Sequence, residues 1–133
     1  MNSAMKTIGV IGGLGWESSA TYYRLMNQEV RRRLGGWHSA RVIMDSLDFH
    51  AFAEARGAAD YAGLRRQLVA SAERLESAGA EVLLIACNTV HRFAPAVSDA
   101  VQIPLLHIAD AAGRALARDG HPARYLRRGR GPG

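Results

Sequence analysis

Thr7-Ile-Gly-Val-Ile-Gly-Gly-Leu-Gly15 joins a short, β-branched apolar run to a cluster of glycines. A run of strand length that stops at glycines reads as a buried strand leaving through a tight turn. The pattern recurs downstream. Arg41-Val-Ile-Met44 leads into Asp45-Ser-Leu-Asp48, Glu81-Val-Leu-Leu-Ile-Ala86 leads into Cys87-Asn-Thr89, and Pro104-Leu-Leu-His-Ile108 is a fourth short run. Helical patterns fill the intervals. Tyr22, Leu25, Met26, Val30 and Leu34 fall at helical spacing, with Ser18 or Ser19 as the cap and Gly35-Gly36 as the stop. Leu64, Leu68, Ser71, Leu75 and Ala78 form the stripe of a second helix that Gly79 terminates. Residues 91–100 read as a third helix, and Asp110 caps a last one reaching Leu116. The order is β-α four times over. Continuously apolar strands alternating with amphipathic helices specify an α/β fold, a four-stranded parallel sheet with helices on both faces.

The 133 residues suit one domain, placed at residues 1–119. Hydrophobic residues at 48% and charged residues at 22% exclude a disordered or collagen-like chain. No apolar run approaches the roughly 18 residues of a membrane span. A single cysteine forbids an internal disulfide and fits a reducing compartment, so the cytoplasm is the expected location. The net charge of +5 is unevenly placed. Met1 to Gly113 carries 11 Lys+Arg against 11 Asp+Glu, whereas Arg114 to Gly133 carries 6 Arg against 1 Asp. A neutral body with a basic tail is not the footprint of a nucleic-acid-binding domain, which spreads cations over a folded face. Residues 120–133 read as a solvated tail, and the composition changes so abruptly near Gly120 that they are not expected to continue the fold.

In open parallel sheets, ligands bind beyond the carboxyl ends of the strands. The loops there hold Gly12 to Glu17, Asp45 to His50, Cys87 to His91 and the residues after His107. Cys87 follows a strand and precedes a helix, a setting that favours the thiolate. Asn88 and Thr89 add donors that could hold a carboxylate. Such a thiolate could remove a proton beside a bound anion. The competing reading of Cys87 is a small buried hydrophobe. The glycine loop only half matches a dinucleotide fingerprint, because Ser18 stands where the third glycine belongs. Asp45 could pose as the ribose-binding acid, but turn formation and capping suit Asp45 and Asp48 better. Arg56 reads as a loop-edge cation, able to meet a carboxylate or simply solvated. The histidines have no metal-ligand spacing, so no metal is expected.

Five segments together carry a resemblance. Ile8-Gly-Val-Ile-Gly-Gly-Leu-Gly-Trp-Glu-Ser18, Tyr22-Tyr-Arg-Leu-Met-Asn27, Leu34-Gly-Gly-Trp-His-Ser39, Ala86-Cys-Asn-Thr-Val-His91 and Ile103-Pro-Leu-Leu-His-Ile-Ala-Asp110 resemble the aspartate/glutamate racemase family. The resemblance implies a cofactor-independent racemase with two similar α/β domains facing across a cleft, each supplying one catalytic residue, usually cysteine. It implies Cys87 as the acid/base of the first domain, Asn88 and Thr89 as ligands of the α-carboxylate, Leu14 as a backbone contact and Arg56 as a side-chain contact. The substrate implied is a small dicarboxylic amino acid, aspartate or glutamate, and a homodimer is possible. Family chains run about twice as long and carry a second cysteine motif in their second half, so a truncated first domain is expected here. The alternatives are an inactive fragment, or a non-catalytic domain binding a small anion or a dinucleotide.

Overall fold

Strands that are apolar at every position need cover on both sides. The computed structural model describes residues 5–87 and 92–106. Its elements are β1 (Ile8–Gly12), α1 (Trp16–Leu34), β2 (Val42–Ser46), α2 (Phe49–Gly57), α3 (Tyr61–Ser77), β3 (Val82–Ile85), α4 (Ala94–Ala100) and β4 (Leu105–Leu106). The strands form one sheet in the order β2-β1-β3-β4, and every neighbouring pair is parallel. In register, Ile8 pairs with Val42 and with Val82, and Ile11 with Asp45 and Ile85.

The alternation of the strands sorts the core into two layers. Ile8, Val10, Val82, Leu84 and Ala86 pack with Met26 and Val30 of α1. Ile11, Leu83 and Ile85 pack with Phe52 of α2, Leu64, Leu68, Ala72 and Leu75 of α3, and Val97 of α4. The α/β class and the parallel four-stranded sheet are therefore as the sequence indicates. α3 and the turn after it approach β1 closely at Gly9, where a Cβ would stand 3.1 Å from that of Leu75 in α3 and 2.7 Å from that of Ala80 just beyond it.

Local details differ from expectation. α1 begins at Trp16, with Gly15 at its N-cap and no side-chain cap bond. Ser19 lies inside the helix, buried, and its Oγ accepts the Gly13 N–H at 2.9 Å. The serine thus ties the helix to the glycine loop instead of capping it. Leu25 is 41% exposed; one residue before Met26 it is turned about 100° out of the buried stripe. Ala78 is exposed as well, because α3 ends in a Schellman motif in which Gly79 N–H donates to the Glu76 carbonyl and Ala80 N–H to that of Leu75.

α2 was not apparent in the sequence. It is short, and Phe52 is its only buried residue among those described, so it shows no stripe. Asp48 caps it, accepting the His50 N–H at 3.1 Å. The fourth predicted strand is seen as Leu105–Leu106; its extension to Ile108, the helix from Asp110 and the 120–133 tail lie outside the described residues.

Candidate functional site

The sheet order sets the place. β2 lies on one side of β1 and β3 on the other, so the chain reverses its direction of travel across the sheet at β1. That reversal opens a crevice at the carboxyl ends of β1 and β3, where ligands of open α/β sheets bind. The Ala86 N–H donates to the Ile11 carbonyl at 2.9 Å, tying the exit of β3 to the end of β1. Two positions beyond the last pair, Ile11–Ile85, stand Gly13 on one strand and Cys87 on the other. The crevice is therefore walled by the glycine loop and the cysteine.

Each wall is fixed by backbone. The Leu47 N–H donates to the Gly12 carbonyl at 2.9 Å, and Gly13, at φ 86°, lies flat against the Leu47 backbone. Leu14 sends its side chain into the core, where it is 3% exposed. Cys87 packs against that same cluster but is only half-buried, so it is neither sealed among aliphatic side chains nor fully in solvent.

Tyr22 is a further group at this site. Sequence periodicity presents it only as one apolar position of the α1 stripe. Burial pushes its phenol above the ordinary value, and the charge Cys87 carries when ionised pushes it further. Tyr22 is one helical turn beyond Ser19, the residue bonded to the glycine loop. It packs against the layer that includes Ala86, next in sequence to Cys87. The juxtaposition is tertiary, and spacing within one segment could not have revealed it.

Two other expectations change. Arg56 sits in the last turn of α2 instead of at a loop edge, exposed, its guanidinium carbon 5.7 Å from the Phe49 ring centroid. Asp45 lies within β2 and makes no turn. It accepts from Ser71 Oγ at 2.7 Å and from Arg74 at 2.8 Å, clamping α3 to the sheet. Asn88, Thr89 and His91 lie outside the described residues. Among the described residues, no three His, Cys, Asp or Glu side chains gather as a metal site, and no helix is long and apolar enough to cross a membrane.

The Asp45 clamp gives a test of its own. Ser71 is fully buried, so Asp45→Ala leaves its hydroxyl without this acceptor and should cost about 1–3 kcal/mol. Ser71→Ala should cost less, since Asp45 retains Arg74 and partial contact with water. Urea unfolding of both variants checks the order; equal or reversed costs would count against the clamp.

Residues 11–124 match the family model described as Asp/Glu/hydantoin racemase. Among solved structures, a protein from Yersinia pestis described as a candidate Asp/Glu racemase shares 42% identity with a TM-score of 0.80, over 87% of this chain and 50% of that one. An aspartate racemase homologue from Pyrococcus horikoshii OT3 shares 31% identity with a TM-score of 0.77, again over 87% of this chain and 50% of that one. The chain thus spans about half the length of these two structures.

Proposed function

The chain belongs to the Asp/Glu/hydantoin racemase family, and on that premise we propose that it is the first domain, residues 1–119, of a cofactor-independent racemase of acidic amino acids. The observation that carries this reading is the position of Cys87, half-buried at the exit of β3 and level with the glycine loop. The Cys87 thiolate removes the α-proton of aspartate or glutamate, or its thiol returns one. The α-proton is weakly acidic, so its removal requires fixed donors on the carboxylate toward which charge develops. Asn88 and Thr89 take that role, with Leu14 contributing through its backbone and Arg56 meeting the substrate through its guanidinium.

Inversion requires a second acid/base on the opposite face of the α-carbon. The 133 residues hold a single cysteine, so the second group comes from a second domain or from a partner copy. One base can still exchange the proton on its own face. Incubation with each enantiomer of aspartate and glutamate in deuterium oxide, followed by proton NMR of the α-position, tests this. The expected result is washout of the α-proton from one enantiomer without inversion. If all four substrates keep their α-protons, the reading fails for this chain.

A further inference from the structure

We propose that the groove between α1 and the turn at residues 36–39 is a nucleotide-binding site, at the opposite end of the sheet from Cys87. The turn leads into Val42, which pairs with Ile8 at the amino edge of the sheet, whereas Cys87 follows β3 at the carboxyl edge. The segment Leu34 to Ser39 thus lies away from the crevice, at the amino end of β2.

The groove is built, not incidental. Asn27 Oδ1 accepts the Ala40 N–H at 2.9 Å, and its Nδ2 donates to the Tyr23 carbonyl at 2.9 Å. That amide pins the turn beside the helix. The groove is open to solvent on one side and offers about 450 Å³, within the range of roughly 300–1,000 Å³ usual for small-molecule clefts.

Its lining is chemically specific. Tyr23 and Trp37 both line it, and Trp37 is 97% exposed, an uncovered planar surface on which a base can stack. Arg24 and Arg31 line it too. Neither makes an ion pair among the described residues. Glu29, the carboxylate on the same stretch of helix, is already taken by Arg32 and Arg33, and the Arg32 hydrogen bond is the largest cause holding it below its usual range. Arg24 and Arg31 are seven residues apart, hence on one face and about 10 Å apart along the axis, with the amides of Asn27 and Gln28 between them. Two unneutralised cations call for an elongated anion, and the exposed indole calls for an aromatic ring. A nucleoside diphosphate has both. A second copy docked groove to groove would gather four arginines with no carboxylate among the lining residues, so charge argues against that occupant.

Calorimetry with adenosine diphosphate tests the site, with adenosine and inorganic pyrophosphate as controls. The diphosphate should bind at least about tenfold tighter than either control. Trp37→Ala and the double variant Arg24→Ala/Arg31→Ala should each weaken it at least about tenfold, while Arg65→Ala on α3 should leave it unchanged. All four residues are exposed, and circular dichroism verifies that each variant folds. The proposal is overturned if the diphosphate does not saturate, if pyrophosphate or adenosine alone matches it, if the groove variants bind as well as the parent, or if sedimentation shows a dimer that Trp37→Ala dissolves.

Discussion

Gly13→Ala is expected to remove about 2–5 kcal/mol of folding stability, enough to unfold a marginal domain. Two separate costs add. At φ 86° an L side chain is strained, worth about 1–2 kcal/mol. The new Cβ would also stand 2.2 Å from the Leu47 carbonyl oxygen and 2.5 Å from its nitrogen. Those are backbone atoms, and the Leu47 N–H is bonded to the Gly12 carbonyl, so relief requires breaking the β1–β2 exit; overpacking of this kind costs about 1–3 kcal/mol. Gly36→Ala is the control. Gly36 also has positive φ, 57°, but a Cβ there meets nothing within 4 Å, so only the first cost applies. Thermal and urea unfolding of the two variants separate strain from collision. Similar losses in both would mean that the glycine loop is not pressed against Leu47.

The same junction shows what the sequence could and could not reveal. Buried strands announce themselves by uninterrupted apolar residues, so β1, β3 and the sheet class were legible in Thr7-Ile-Gly-Val-Ile11 and Val82-Leu-Leu-Ile85. The α3 stripe was legible for a different reason, its helical period, and Leu64, Leu68, Ser71 and Leu75 on that stripe are all buried. α2 was not, because a helix lying on the rim with one buried phenylalanine leaves no periodic trace. Side-chain partners were the least legible. Ser19 resembles a cap by residue type, but it bonds back to Gly13, six residues earlier. Asp45 resembles a turn acid, but its partners Ser71 and Arg74 lie 26 and 29 residues away. Tyr22 becomes a neighbour of Cys87 only once α1 is laid across the sheet. Local chemistry fixes which residue types can act at a position, and tertiary packing decides which partner they meet.

Cys87→Ala should lower α-proton exchange at least about a hundredfold, the low end of what a positioned acid/base contributes, at a stability cost of only about 1 kcal/mol. The two readouts discriminate between roles. A cysteine that merely fills space against the Leu14 and Phe52 cluster would show the stability cost with exchange intact. A third readout comes from Tyr22. Its phenol is raised first by burial and second by the Cys87 charge. Removing the thiol leaves the burial, so the phenol should move part of the way down toward its ordinary value, seen as an earlier rise in phenolate ultraviolet absorbance. The stability contributed by keeping Tyr22 neutral is complete below the unfolded-state value near 10 and is lost as pH climbs through the folded-state value. That alkaline loss should therefore be smaller in Cys87→Ala than in the parent. An unchanged phenol titration would separate Tyr22 from the site, and undiminished exchange would remove Cys87 from it.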